Sequence, residues 1–199
     1  MTGPDVVMFI RHGEKPGEGG PPHGINHKGE SDPHSLSVRG WTRAGGLAAL
    51  FAHAPYDSHP YVVVPTRIYA TKSTDTYKSK REIDTATPLA HRLGLPVDQD
   101  FDHEHASELA SALLADQRPA LVVWHHGSMP DVLAKLPVSN RDDIPHHWPE
   151  DRFDLIWVLS KSADESEYEF SVVAQNLLDG DSASIQLGIA EIVPYSKNR

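Results

Sequence analysis

The stretch Val6–Glu14, which reads VVMFIRHGE, is the part of the sequence that most clearly indicates a fold. Its first five residues form a continuous apolar run, which is typical of a short strand buried on both faces, as in a parallel sheet. The run stops at Arg11, and His12 and Gly13 follow directly. Ligands of open α/β sheets bind at the carboxyl ends of the strands, so this junction is a candidate functional site.

Outward from this strand, the spacing of apolar residues predicts helices and further strands. Helices are predicted at 38–53 after the N-cap Ser37, at 81–93 before Gly94, at 104–115, and from Ser128 and Pro130 to Leu136. Strands are predicted at 68–70, 120–124, 153–160 and 168–175, and loops at 16–35 and 137–152.

Pro88 lies inside the second predicted helix. Proline lacks the amide hydrogen that a helix interior needs, so we expect either a kink there or a helix that starts near Thr85.

The alternation of strands and helices predicts an α/β fold, a three-layer α/β/α sandwich around a mainly parallel sheet. A short charged turn joins the last two strands, so they are expected to pair antiparallel and to make the sheet mixed. A chain of 199 residues favours a single domain over 1–199.

Composition narrows the classes of partner. The net charge of −10 argues against a broad surface for nucleic acid or for an anionic membrane. The absence of cysteine excludes disulfides, thiolate metal sites and a cysteine nucleophile. No apolar run reaches the length of a signal segment or a membrane span, so we expect a cytoplasmic protein. The oligomeric state is left open.

The residue types at the first strand end suit phosphoryl transfer. A neutral imidazole is a good nucleophile near pH 7, because its ordinary pKa is about 6.5. Arg11 offers a permanently charged fork that matches phosphate oxygens, and Gly13 lets a tetrahedral group approach the backbone. The strand at 120–124 ends in a similar way, at His125-His126-Gly127. Because side chains alternate along a strand, only one of these two histidines is expected to face a phosphate, and His126 is favoured.

Four ordered segments resemble the histidine phosphatase superfamily, which has the phosphoglycerate mutase-like fold. RHGE at 11–14 resembles the family signature, and LSVRG at 36–40 resembles the start of the first helix. REIDTA at 81–86 resembles the segment that bears a second phosphate-binding arginine, and VVWHHG at 122–127 resembles the strand that ends in a second histidine. Within the superfamily, the chain resembles the branch of small RHGE-type phosphatases.

The resemblance implies a catalytic role for several residues. His12 would become the phosphohistidine, Arg11 and Arg81 would clamp the phosphoryl oxygens, and His126 would be the second histidine of the pocket. The loop before Arg81 is longer than the family pattern, which leaves Arg67 as an alternative to Arg81.

The resemblance also implies substrate contacts and a proton donor. Glu14 and Lys15 would lie at the pocket mouth, beside Gly13 and Gly127. The acid that protonates the leaving group follows the second arginine in many relatives. Here that stretch holds Asp102, Glu104 and Glu108, and Glu104 is chosen without a distinctive motif, so the choice stays open.

These features predict a phosphomonoester hydrolase that acts on a small phosphorylated substrate without a metal or other cofactor. A mutase of the same superfamily is an alternative, although it would need a substantial lid against water. A non-catalytic phosphate-binding domain and a metal-dependent hydrolase are further alternatives. The spacing of the histidines in 16–35 matches no zinc pattern.

Overall fold

The computed structural model describes residues 3–17, 23–55, 61–161 and 166–185. These ranges contain six strands: Val6–Ile10 (β1), Arg67–Ala70 (β2), Val97–Asp98 (β3), Ala120–Val123 (β4), Leu155–Ser160 (β5) and Glu169–Ala174 (β6). Four α-helices accompany them: Val38–Ala52 (α1), Arg81–Leu93 (α2), Ala106–Ala115 (α3) and Met129–Leu133 (α4). The prediction of one domain over 1–199 stays a prediction, since it includes residues outside the described ranges.

The strands form one mixed sheet in the order β3-β2-β4-β1-β5-β6. The pairs β2–β3, β2–β4 and β1–β4 are parallel, whereas β5 is antiparallel to both β1 and β6. Only β5 therefore runs against the other five strands. The antiparallel pairing of the last two strands is confirmed.

Helices cover both faces of the sheet. Val7 and Phe9 of β1 belong to one apolar core with α3 and α4. Met8 and Ile10 belong to the other core with α1 and α2. A strand whose side chains are buried on both faces needs apolar residues at every position, which explains the continuous run at 6–10. The predicted α/β/α sandwich is confirmed, and it agrees with the fold that the family resemblance implies.

The ends of α1 and α2 follow from local chemistry. Ser37 caps α1 by accepting a hydrogen bond from the Gly40 amide at 3.0 Å. Gly94 ends α2 in the left-handed region, with φ of 67°, where glycine is favoured. Helix α2 begins at Arg81 and continues through Pro88, so the alternative start near Thr85 is wrong.

The bounds of several elements differ from the sequence prediction: α4 ends at Leu133 rather than at Leu136, and β5 begins at Leu155 rather than at 153. The two-residue strand β3 is too short to give a periodic signal. Helix α3 begins at Ala106 rather than at 104, because the Asp102 side chain accepts hydrogen bonds from the Glu104 amide and the His105 ring and so holds a turn.

Within the described ranges, none of the helices has the length and apolar character needed to cross a bilayer. The same ranges contain no group of three or more His, Asp or Glu side chains placed to hold a metal ion.

Candidate active site

The sheet register brings three strand ends to one level. Ile10 of β1 pairs with Val123 of β4, which pairs with Ala70 of β2. Backbone hydrogen bonds continue past the ends, since the Trp124 amide donates to the Ile10 carbonyl at 3.0 Å. Because these strands are parallel, the residues that follow them emerge along one edge.

His12 lies at this edge, with only 3% of its surface exposed. Its Nδ1 atom lies 2.6 Å from the Gly13 carbonyl oxygen, which can only accept a hydrogen bond. Nδ1 therefore carries the proton in the neutral ring, and Nε2 keeps a lone pair. Burial lowers the pKa of His12 to about 4, so the imidazole is neutral at pH 7. A neutral ring of fixed tautomer is suited to nucleophilic attack through Nε2.

Arg11 is also buried, and it is held by the segment that precedes β5. Its guanidinium carbon lies 4.1 Å from the centre of the Phe153 ring, and Nη1 donates to the Glu150 carbonyl. Burial lowers the pKa of Arg11 to about 10, which still leaves the side chain charged at pH 7. Its Nε is buried and has no hydrogen-bond partner within the described ranges.

Arg81 opens α2 beside the loop that follows β1. The Gly13 amide donates to Thr85 Oγ1 at 2.8 Å, and this hydroxyl donates to the Arg81 carbonyl at 2.7 Å. The loop of the nucleophile is thereby tied to the first turn of α2. Arg81 Nε is buried without a partner in the described part of the chain, and Nη1 makes a long contact of 3.4 Å with the Pro33 carbonyl.

Arg67, the alternative second arginine, lies elsewhere. It is the first residue of β2, whereas the candidate site lies beyond the carboxyl end of that strand. Its guanidinium pairs with Asp98 at 2.6 Å and approaches Asp116 at 4.0 Å. Arg67 is thus paired with carboxylates away from the candidate site, whereas Arg81 lies near His12.

Both His125 and His126 border the site. The centre of the His126 ring lies 6.2 Å from the centre of the His12 ring, and 5.1 Å from the centre of the His125 ring. Strand alternation does not decide between them, because β4 ends at Val123, so the expectation that only one of them faces a phosphate stays a prediction. Burial lowers the pKa of His126 to about 3, and its buried Nδ1 lacks a partner among the described residues.

Comparisons with known proteins give a likeness of shape. No family model and no curated protein matches the chain. Among solved structures, the chain is similar to the ecdysone phosphate phosphatase from Bombix mori, solved in complex with tungstate. The TM-score is 0.47 and the identity is 13%, over 90% of this chain and 95% of that one.

The residues expected at the pocket mouth have different surroundings. Glu14 is turned toward α1, where its carboxylate pairs with Arg43 at 2.8 Å and with Arg39 at 3.1 Å. Lys15 is exposed and lines a cavity of about 200 Å³ with His23 and Arg81. The arrangement gives this cavity a basic lining within an acidic protein.

The two glycines have distinct steric surroundings. A Cβ at Gly13 would lie 2.8 Å from the Gly40 carbonyl oxygen, so the loop of the nucleophile packs directly on the backbone of α1. A Cβ at Gly127 would lie 2.8 Å from Cε1 of the His125 ring. Both positions exclude larger residues unless a neighbour moves.

Glu104 is exposed, and no hydrogen bond or ion pair joins its carboxylate to the described part of the site. Its neighbour His103 does reach the site, since the His103 ring lies 5.3 Å from His125 and 4.5 Å from Tyr77. The loop is close to the site, but the proposed acid itself faces solvent. Its role stays a prediction.

Sequence reasoning missed Glu82 and Tyr77. Glu82 is fully buried, and its carboxylate accepts hydrogen bonds from Tyr77 and Ser79, each at 2.8 Å. An acidic residue in the first turn of a helix is ordinarily an exposed partner of the helix dipole, so its position gave no signal of burial. The aromatic ring of Tyr77 lies in the irregular stretch before α2, where no periodicity marks it.

Proposed function

We propose that this chain is a member of the histidine phosphatase superfamily that hydrolyses phosphate monoesters through a phosphohistidine on His12. The observation that carries the proposal is a set of buried nitrogens around His12 without partners in the described ranges, namely Arg11 Nε, Arg81 Nε and His126 Nδ1. Buried polar atoms are rarely left unpaired, so such a set indicates a site for a polar ligand. Two permanent positive charges favour an anion with several oxygens.

In the first step, the Nε2 lone pair of His12 attacks phosphorus as the ester P–O bond breaks. Arg11 and Arg81 stabilise the charge on the equatorial oxygens, and the leaving oxygen takes up a proton from a general acid, for which Glu104 is the predicted candidate. In the second step, the conjugate base of that acid takes a proton from a water, the water oxygen attacks the phosphohistidine, the P–N bond breaks, and His12 regains its lone pair. Inorganic phosphate is the product, and Nδ1 keeps its proton throughout and donates it in a hydrogen bond to the Gly13 carbonyl oxygen.

The proposed chemistry is tested with an aryl phosphate in excess chelator. We expect turnover in the wild type, inhibition by orthovanadate as a mimic of the transition state, and a loss of about 10³-fold or more in His12→Ala. Turnover abolished by chelator would favour a metal-dependent hydrolase. Wild-type rates in His12→Ala would exclude the proposed nucleophile.

The substrate is to be identified with a panel of phosphorylated metabolites, sugars, nucleotides and phosphopeptides, with His12→Ala as the blank. The basic lining of Lys15, His23 and Arg81 favours a small substrate that carries additional negative charge. Analysis of the products separates hydrolysis from a mutase reaction, because only hydrolysis releases inorganic phosphate.

A further inference from the structure

Glu82 is a buried carboxylate that the proposed chemistry does not use. Tyr77 donates to Oε1 and Ser79 donates to Oε2, each at 2.8 Å. The Ser79 hydroxyl oxygen accepts from the Arg81 amide at 3.4 Å, so its own proton is available for Glu82. Each oxygen of the carboxylate therefore has its own hydrogen-bond donor.

This charge has no direct ion-pair partner. Within the described ranges, no nitrogen of a Lys, Arg or His lies within 4.0 Å of the Glu82 carboxylate. Burying an unpaired charge is costly, and a purely structural role would be served by a neutral side chain of the same size. The position of Glu82 in the first helical turn gives a dipole interaction, but an exposed acid there would gain it too.

The residues on which this charge acts electrostatically belong to the candidate site. The negative charge of Glu82 acts on Arg11, His12 and His125. A chain of contacts leads the same way, since the Tyr77 ring packs edge-on against the His125 ring at 5.3 Å. Tyr77 thus connects the Glu82 carboxylate, which its hydroxyl contacts, to the His125 ring, which its own ring contacts.

We propose that Glu82 is a fixed counter-charge that weakens the hold of the site on phosphate and so promotes product release. This inference rests on the proposed function. Hydrolysis leaves an anion between Arg11 and Arg81, and a site with two arginines and no opposing charge would retain it. Because Glu82 does not touch the reacting atoms, it is a positioning residue that acts through the field of the site.

The test compares Glu82→Gln with the wild type in calorimetric titrations with inorganic phosphate and with orthovanadate. The amide keeps the size of the carboxylate and removes the charge. Its oxygen can accept one of the two hydrogen bonds, while its NH2 group donates and cannot accept the other. We expect both anions to bind on the order of tenfold more tightly. We also expect kcat and KM for an aryl phosphate to fall together, whereas a structural defect would raise KM and weaken phosphate binding.

Asp84→Asn is the matched control. Asp84 lies in the same helix and is partly buried, but its carboxylate accepts from Ser35 at 2.6 Å on the side of the long loop. It is not among the largest influences on the pKa of His12. Its variant is expected to bind phosphate as the wild type does. Glu82→Met, which is also neutral, decides the matter if Glu82→Gln does not fold.

Unchanged or weaker phosphate binding in a folded neutral variant overturns the counter-charge, as does an equal gain in Asp84→Asn. The proposed function fails in a different way. If the wild type binds phosphate but hydrolyses no ester, hydrolysis is contradicted while the titrations of Glu82→Gln still judge the counter-charge. If the wild type neither binds phosphate nor hydrolyses an ester, both proposals are overturned.

Discussion

The Nδ1 atom of His12 lies 2.6 Å from the carbonyl oxygen of Gly13, the next residue in the chain. This contact fixes the tautomer of the imidazole and with it the nitrogen that can attack. The Gly13 amide is in turn bonded to Thr85 Oγ1 at 2.8 Å, and its Cα packs on Gly40 of α1. The orientation of the proposed nucleophile therefore depends on the backbone between β1 and α1.

Gly40→Ala is expected to disturb this backbone. A Cβ there would lie 2.5 Å from the carbonyl oxygen and 2.9 Å from the amide nitrogen of Glu14, and neither backbone atom can rotate away. We expect a loss of about 1–3 kcal/mol in the free energy of unfolding. A lower kcat/KM for an aryl phosphate should accompany it. Urea denaturation and steady-state kinetics measure the two effects.

Gly45→Ala controls for helix propensity, because Gly45 lies in the same helix and a Cβ there meets nothing within 4 Å. Alanine should stabilise this position by about 0.5–1 kcal/mol. Equal losses in the two variants would contradict the close approach at Gly40.

Arg81→Ala is expected to lower kcat/KM by about 10²-fold or more, since it removes one of the two arginine charges that are proposed to bind the phosphoryl oxygens. Arg92→Ala provides the comparison within α2, because Arg92 is exposed and hydrogen-bonds His53. Its activity should stay within about twofold of the wild type. If both variants keep full activity, Arg81 does not bind the phosphoryl group.

Arg43→Met is expected to destabilise the protein strongly. The guanidinium is 1% exposed, and it joins Glu14 at 2.8 Å to Asp181 at 2.7 Å. Removing it leaves two carboxylates without their main partner, which costs about 3–5 kcal/mol. Arg39→Met removes the exposed partner of the same Glu14 and should cost less than about 1 kcal/mol. Thermal unfolding of the two variants measures the difference, and similar melting temperatures would contradict a structural role for the buried pair.

The stability of the fold should fall when the pH is lowered from 7 to 5. The pKa of His12 is lowered by burial from 6.5 to about 4, so in this range the unfolded chain binds a proton there that the folded chain does not. The cost at pH 5 is about 2 kcal/mol. His12→Asn should lose correspondingly less stability between pH 7 and pH 5 in urea denaturation. An identical response of the two proteins would contradict the buried neutral imidazole.

The sequence predicted the elements whose signal is local. The apolar run of β1, the Ser37 cap and the Gly94 stop are each written in a few adjacent residues, and the structure bears them out. The carboxyl-end rule also placed His12 and His126 at one edge, and their rings lie 6.2 Å apart. The shared edge follows from the parallel pairing of β1 and β4.

What the sequence could not predict depends on contacts between distant segments. Nothing near Arg43 indicates that its partner is Asp181, which lies more than a hundred residues away. Glu82 resembles an ordinary acid of a first helical turn, and only the fold shows that it is buried. The contact between Glu14 and Arg43 also leaves no local signal in the sequence, so it was not predicted.

In the proposed reaction, His12 carries the phosphoryl group as a covalent intermediate. The direct measurement is an alkaline quench shortly after mixing with an ester labelled in its phosphoryl group, followed by mass analysis of the peptides. We expect a label that is stable in alkali, labile in acid, and located on the peptide that contains His12, and no label in His12→Ala. Full turnover with the label on another residue, or with no label at any time during turnover, would contradict it.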